Sequence, residues 1–254
     1  MGTFLDPAPR KFPQYVGCRR QAFKPARLPT IAAGTGWHHD RVSASAMPLP
    51  RSFFEREVTV VARDLLGRVM VARSAAGTVA VRLTEVEAYA GVDDPASHAF
   101  RGRTPRTAVM FGPAGHLYTY FVYGMHWCAN IVTGRDGDAS AVLLRAGVVV
   151  DGIEVARIRR PAAARDHELG RGPAGLAKVL GLTGADTGAD LCTADGRLEI
   201  RPGAAPVAGV RVGPRVGVST AVDVPWRFWE TGERSVTSYR RGTRAMRGRV
   251  VGSG

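Results

Sequence analysis

The amino-acid sequence predicts an α+β fold built around a mixed, curved sheet. Two observations predict this class. Short stretches rich in β-branched and aromatic residues alternate with stretches of helical period. Tyr123-Gly124-Met125 also separates two β-rich stretches, as a hairpin turn would. The length of 254 residues fits one domain with tails.

The predicted elements begin with a helix over Phe53–Leu66, because Gly67 is a stop signal. A long segment, Asp93–Pro113, is rich in Gly, Pro, Arg and Thr and is predicted as a loop, and a loop of this length is usually functional or disordered. The other predicted strands are Arg68–Arg73, Val79–Tyr89, His116–Val122, His126–Val132, Ser140–Ala146, Leu198–Arg201 and Val216–Thr220. The other predicted helices are Asp151–Arg160 and Gly172–Leu182, the second with Pro173 in its first turn.

The net charge of +13 indicates a polyanionic partner. Residues 1–46 carry seven Lys or Arg and two Asp, without a sustained apolar period, which predicts a disordered basic extension. Without this segment, 28 basic and 20 acidic residues remain, so the rest still carries +8. We expect one folded domain over residues 47–241 and a basic tail over 242–254.

Several other classes are disfavoured. The three cysteines form no CxxC pair, and no paired-histidine motif is present, so we expect no metal site and no cofactor. No apolar run approaches the roughly 20 residues that a membrane span needs, and no signal peptide is evident. The sequence therefore predicts a cytoplasmic protein that does not contact membranes, and we expect a monomer.

The predicted strand ending at Tyr89 carries two carboxylates. Because side chains alternate along a strand, Glu85, Glu87 and Tyr89 are expected to share one face. Val81 and Leu83 are expected on that face as well. Two readings remain open: the strand lies at a sheet edge with a solvated face, or it places a carboxylate in a cleft as a general base.

The predicted hairpin is rich in aromatic residues. Tyr118 and Phe121 are expected in the core, where most aromatic strand residues lie. Tyr123 lies at the turn beside Gly124, so we expect it to be exposed. Between arginine-rich segments, such a tyrosine is suited to act as a wedge or stacking platform for nucleic-acid bases.

The loop before the hairpin carries three arginines and one histidine whose pattern indicates a function less specifically than the hairpin does. Arg101, Arg103 and Arg106 are candidates for DNA phosphate contacts, and the alternative is a solvated basic loop. His98 is a single loop histidine of the kind that is usually an exposed bystander.

A series of short motifs lies in order between Arg51 and Arg241. Each motif alone is weak, but together their order and spacing are highly specific. The motifs are Glu85–Tyr89, Asp93–His98, Thr104–Arg106, Met110-Phe111, Gly115–Tyr120, Tyr123–Met125, Cys128–Asn130, Leu143–Ala146, Gly172-Pro173 and Pro214–Gly217.

This series resembles the alkyladenine (3-methyladenine) DNA glycosylase family, the single-domain type of mammals and many bacteria. The resemblance implies a compact domain with a curved antiparallel sheet and a protruding β-hairpin. It also implies that Glu87 is the general base that activates water, and that Arg145 positions the water and a nearby phosphate. Tyr123 matches the tyrosine that fills the gap left in the duplex.

The resemblance further implies a pocket for an extruded base. Tyr89, His98 and Tyr120 match residues that stack around that base, and Asn130 matches the asparagine at the pocket floor that helps reject guanine. Glu85 is either a second functional carboxylate or a structural partner of an arginine.

The implied activity is removal of alkylated or deaminated purines from double-stranded DNA. A lyase needs an amine, and Lys178 is the only lysine after residue 46, on a predicted helix away from the motifs, so we expect a monofunctional enzyme. The alternatives are a catalytically silent damaged-DNA-binding protein, a hydrolase of free nucleosides and an RNA-binding module. The last is disfavoured because RNP-type and GxxG signatures are absent.

Overall fold

The computed structural model describes residues 46–204, 207 and 209–242. Almost all of the predicted N-terminal extension (1–46) and C-terminal tail (242–254) therefore lies outside the described residues. No helix in the described part of the chain has both the length and the apolarity needed to cross a membrane.

The described residues contain eight strands in one sheet. They are β1 (Val69–Ser74), β2 (Gly77–Tyr89), β3 (Leu117–Val122), β4 (His126–Thr133), β5 (Ser140–Asp151), β6 (Leu198–Arg201), β7 (Val210–Gly213) and β8 (Arg227–Glu230). The order is β3-β4-β5-β2-β1-β6, while β8 pairs with β2 and β7. Every one of these pairs is antiparallel. The α+β fold and the antiparallel sheet implied by the family resemblance are confirmed, whereas the expectation of a mixed sheet was wrong.

The 13-residue strand β2 is the centre of the sheet. Strand β5 runs along one side of it from Ala80 to Tyr89. On the other side, β1 pairs with its first half and β8 pairs with Glu85, Val86 and Glu87. The two carboxylates therefore lie on a central strand, which excludes the edge-strand alternative.

A β-bulge on β2 changes which side chains face the core. Leu83 and Val86 both pack in the main hydrophobic core, although strict alternation would place them on opposite faces. The pairing with β5 contains an extra residue at Thr84, and this shifts the alternation by one. Glu85 and Glu87 therefore lie on the face opposite Leu83, and the prediction that they share its face was wrong.

The first predicted helix is interrupted. It consists of α1 (Arg51–Phe54) and α2 (Val58–Leu65), separated by a short bend. The side chain of Glu57 accepts hydrogen bonds from the N–H groups of Thr59 (2.9 Å) and Val60 (3.0 Å), so Glu57 begins a new helix as its N-cap.

The other helices are α3 (Ile153–Arg159), α4 (Asp166–Leu169) and α5 (Pro173–Leu180). Apolar residues of α2 and α5 pack with one face of the sheet to form the main core. Helix α4 and strands β7 and β8 were missed by the sequence prediction. The long segment between β2 and β3 is a loop with two 3₁₀ turns, as expected.

The predicted strand Val216–Thr220 is irregular, so that prediction was wrong. Gly217 adopts a φ of 76°, which a β-strand does not allow. The N–H of Val216 donates to a side chain of β2 rather than to a neighbouring strand. This segment therefore contacts the face of the sheet that lies opposite the main core.

Candidate active site

A pocket lies on that face, where four consecutive strands of the sheet meet the loop between β2 and β3. The pocket and its opening to solvent together span about 340 Å³. Its walls come from Tyr89 of β2, Tyr118 and Tyr120 of β3, Asn130 of β4, Ala141 of β5, and Ala96, Ser97, His98 and Met110 of the loop. The structure thus brings together the four predicted pocket residues, Tyr89, His98, Tyr120 and Asn130.

Three aromatic rings, those of His98, Tyr118 and Tyr120, contact one another in the pocket wall. The ring centroids of His98 and Tyr120 are 4.5 Å apart at an interplanar angle of 83°, and Tyr118 stacks on Tyr120 at 5.9 Å. The Tyr118 hydroxyl lies 3.1 Å from Nδ1 of His98. Tyr118 is buried, as expected, but it also lines the pocket, a role that the sequence prediction missed.

His98 and Arg106 both lie at the pocket. The side chain of His98 remains exposed on one side, and partial desolvation of its imidazole, followed by the nearby cation of Arg106, lowers its pKa. The imidazole is therefore neutral at neutral pH. The Arg106 guanidinium lies 5.9 Å from the centroid of the Tyr120 ring, so this arginine of the predicted phosphate-binding loop is placed at the pocket.

Glu87 is fully buried next to the pocket wall. One carboxylate oxygen accepts the Tyr89 hydroxyl at 2.9 Å and Nη1 of Arg145 at 3.3 Å. The other accepts the N–H of Val216 at 2.7 Å. Burial raises the pKa of Glu87, and these donors only partly offset that effect. The carboxylate is thus held by hydrogen bonds, with a proton affinity above that of an ordinary glutamate.

Glu85 lies two residues earlier and is also fully buried. It accepts Nε of Arg145 (2.9 Å), Nε of Arg227 (2.7 Å), and both the N–H and the hydroxyl of Thr237 (2.7 Å each). Burial raises the pKa of Glu85, but Arg145, Thr237 and Arg227 together outweigh it and hold the pKa below 4.5. Glu85 is therefore a structural partner of two arginines, one of the two alternatives left open by the sequence.

A second cavity, the basic cleft, is lined by two residues that donate to Glu87. Together with its opening to solvent it spans about 690 Å³, and its lining residues are Arg145, Arg171, Val216, Thr237, Ser238 and Arg240. Arg145 and Val216 both donate to Glu87, whereas Tyr89 joins Glu87 to the aromatic pocket. The carboxylate thus lies between an aromatic pocket and a cationic cleft.

The hairpin tip presents Tyr123 to solvent, as the turn chemistry predicted. Its side chain is 87% exposed, and its backbone has a φ of 52° beside Gly124. Phe121 is 49% exposed and packs on Trp127 at 4.9 Å, so the prediction that it lies in the core was wrong. The reason is that the distal end of the hairpin extends beyond the sheet's covered faces.

Asn130 is buried, whereas the arginines of the loop before the hairpin are exposed. Asn130 is buried at the pocket, and its amide Nδ2 donates to the backbone carbonyl of Tyr118 at 3.3 Å. Arg101 and Arg103 are exposed on the loop before the hairpin. The structure does not bring these two arginines into the pocket.

The sequence prediction missed an ion pair beside the pocket. Asp94 and Arg215 are both almost fully buried and form a bidentate pair across 121 residues of sequence. Both lie within motifs of the family resemblance, but no local pattern indicated that they contact each other. Arg227 and Thr237, the other partners of Glu85, carried no recognised motif at all.

An enzyme that removes a base from DNA must hold that base outside the stack and must act on the bond between base and sugar. In the described residues an aromatic pocket lies beside the buried carboxylate of Glu87, to which the Tyr89 hydroxyl of the pocket wall donates. This arrangement is the one expected of the class of DNA glycosylases.

The sequence comparisons give the family within this class. Residues 52–234 match the methylpurine-DNA glycosylase family, and the chain belongs to that family. The resemblance inferred from the motifs is thereby confirmed. The protein is therefore a DNA glycosylase of a DNA repair family.

Individual relatives carry the name "Putative 3-methyladenine DNA glycosylase". The protein of Streptomyces avermitilis is 52% identical over 199 residues, which cover 77% of this chain and 93% of the relative. The protein of Nocardia farcinica is 54% identical over 191 residues, 72% of this chain and 88% of the relative. The protein of Burkholderia lata is 49% identical over 190 residues, 74% of this chain and 90% of the relative.

Proposed function

We propose that the protein extrudes alkylated or deaminated purines from duplex DNA and hydrolyses the N-glycosidic bond with water activated by Glu87. The lesion class comprises 3-methyladenine, 7-methylguanine, hypoxanthine and ethenoadenine. The observation that carries the proposal is the location of Glu87. Its buried carboxylate contacts the pocket through Tyr89 and the basic cleft through Arg145 and Val216.

Recognition of the base follows from the pocket lining. A purine in the pocket stacks against Tyr89, His98 and Tyr120, and a purine made cationic by alkylation gains further attraction to these electron-rich faces. Asn130 is buried at the pocket, so a purine with an additional amino group meets an amide with little freedom to move. We assign to this residue the rejection of normal guanine.

Hydrolysis requires a base and stabilisation of positive charge. The Glu87 carboxylate takes a proton from water, the water oxygen bonds to C1′ of the sugar, and the electrons of the C1′–N bond leave with the purine. Its raised pKa makes Glu87 a better proton acceptor than an ordinary glutamate, and Arg145 favours its ionised form. The negative charge also stabilises the oxocarbenium-like transition state. Water is the nucleophile, so the enzyme is monofunctional, and borohydride trapping of a covalent DNA adduct would contradict this.

Contacts with DNA are assigned by exposure and charge. Tyr123 enters the gap left by the extruded nucleotide and offsets part of the cost of extrusion. The exposed Arg101 and Arg103 contact phosphates, whereas Arg106 acts at the pocket mouth. Replacing Tyr123 by alanine should slow base release more from a fully paired duplex than from one in which the lesion is already unpaired. The enzyme acts as a monomer in the cytoplasm, where it meets DNA.

The test is base release from a panel of duplexes, each with one lesion, by wild type and Glu87→Gln, with the free nucleosides as a matched set. We expect the wild type to release damaged purines from duplexes only, and Glu87→Gln to bind the same duplexes but to release the bases far more slowly. Binding without release by the wild type would favour the catalytically silent alternative. Equal hydrolysis of free nucleosides would favour a nucleoside hydrolase.

A further inference from the structure

The buried pair of Asp94 and Arg215 joins three segments around the active site. Nη2 of Arg215 donates to Asp94 at 2.9 Å, and Nη1 contacts the other carboxylate oxygen and the backbone carbonyl of Ala88 at 3.0 Å. Asp94 in turn accepts the N–H of Ala96 at 3.0 Å, and Ala96 lines the aromatic pocket. The pair thus connects the pocket loop, the end of β2 and the segment that precedes Val216.

The same arginine touches both halves of the active site. Its guanidinium lies 4.6 Å from the centroid of the Tyr89 ring, which stands in the pocket wall. The next residue in the chain, Val216, donates its N–H to Glu87 at 2.7 Å. A displacement of Arg215 would therefore move a stacking surface and a donor to the carboxylate together.

Stability alone does not account for such a pair. Removing two charges from water costs free energy that their attraction often fails to repay, and apolar replacements of similar volume are frequently as stable. Nε of Arg215 is buried and has no hydrogen-bond partner among the described residues, which adds to the cost. The Asp94–Arg215 pair is better explained by the positions in which it holds the neighbouring groups of the active site.

We propose that Arg215, oriented by Asp94, is a positioning residue that sets the Glu87 carboxylate and the Tyr89 ring at once. This inference rests on the proposed role of Glu87 as general base. Arg215 does not touch the reacting atoms and acts through the Val216 amide and the Tyr89 ring.

The pH dependence of base release reports on this role. An N–H donor favours the ionised carboxylate, so weakening the Val216 contact raises the pKa of Glu87. Because the base acts when deprotonated, the acidic limb of the rate profile then moves to higher pH. The other charged or titratable groups facing Glu87 are Arg145 of β5, Glu85 and Tyr89 of β2, and Tyr120 of β3.

The experiment measures single-turnover release of hypoxanthine from duplex DNA against pH, with the thermal midpoint of each variant. Arg215→Lys keeps the charge but loses the bidentate geometry. We expect its acidic limb to move up by about one pH unit, the size expected for a weakened hydrogen bond to a charged group. We also expect its plateau rate to fall by roughly tenfold or more, as misplacement of reacting groups does.

Glu199→Gln is the matched control. Glu199 is a fully buried carboxylate that contacts Arg73 and Arg201, on a strand paired with β1 rather than with the Glu87 end of β2. We expect this variant to lower the thermal midpoint and to leave the acidic limb and the plateau rate unchanged.

The proposal would be overturned if Arg215→Lys lowered the thermal midpoint but kept the acidic limb and the plateau rate of the wild type. The pair would then have a structural role only. Should Arg215→Lys fail to fold, Asp94→Asn keeps an acceptor for Arg215 and is judged by the same two readouts. A wild-type profile without a limb that depends on Glu87 would count against the proposed function instead, so the two failures are distinguishable.

Discussion

Glu85 and Glu87 stand two residues apart on the same strand and face, both fully buried and both in contact with Arg145, yet their surroundings differ. Glu85 receives four donors, two of them from arginines, and its pKa lies below the ordinary value. Glu87 receives three donors: two are neutral, and the single arginine lies at the longer distance of 3.3 Å. The pKa of Glu87 lies above the ordinary value of a glutamate. Both side chains are glutamates without exposed surface, so the number and charge of donors, together with the deeper burial of Glu87, separate the two roles.

The comparison shows how one fold assigns different tasks to neighbouring carboxylates. Groups whose environments shift their pKa values in opposite directions are suited to different chemical roles. A glutamate saturated with donors has little reason to take a proton from water. Glu85 instead fixes Arg145 and the segment at Thr237, and so supports the more weakly paired Glu87.

The largest expected effect concerns activity. Replacing Glu87 by glutamine removes the proton acceptor but keeps the shape, so base release should fall by about 10²- to 10⁴-fold in single-turnover assays. Binding to the same duplexes, measured by fluorescence anisotropy, should be little changed. Substantial residual release would break the assignment of Glu87 as the base.

The second effect concerns stability. Glu85→Gln leaves Arg145 and Arg227 buried without their carboxylate, and we expect the free energy of unfolding in urea to fall by about 3 kcal/mol. The folded variant should keep more activity than Glu87→Gln. A Glu85→Gln protein as stable as wild type would show that the donor network has no structural importance.

A smaller effect is expected at the edge of this network. Thr237→Val removes the hydroxyl that donates to Glu85 at 2.7 Å but keeps the backbone N–H donor, so the free energy of unfolding should fall by about 1 kcal/mol. Thr220→Val, which removes a more exposed hydroxyl that donates to the carbonyl of Pro95, is the control and should change it less.

The smallest effect concerns the pH dependence of stability, to which Glu85 and Glu87 contribute with opposite signs. The folded pKa of Glu85 is lowered, so its stabilisation is present above the unfolded pKa and is lost as the pH falls through the folded pKa. The folded pKa of Glu87 is raised, so its contribution is present at low pH and lost as the pH rises through the folded pKa. Glu87→Gln should therefore lower the thermal midpoint at neutral pH less than Glu85→Gln does, and a larger decrease would contradict this.

The sequence predicted local features better than long-range ones. The hairpin and the exposure of Tyr123 followed from the residues around Gly124, and the motif series indicated the family. The bulge at Thr84 reversed the predicted faces, because register depends on a partner strand that local alternation does not reveal. Nor does a sequence pattern show that Arg215 pairs with Asp94, since the two meet only after the chain has folded.

The acidic limb of the single-turnover rate tests the central claim most directly. Release of hypoxanthine from duplex DNA is measured from neutral pH downwards, over the range in which circular dichroism shows the protein folded. The account predicts a half-maximal rate above pH 4.5, the ordinary pKa of a glutamate, and no such limb in the residual activity of Glu87→Gln. A limb that persists in Glu87→Gln but disappears in Glu85→Gln would contradict the account, because it would identify Glu85 as the base.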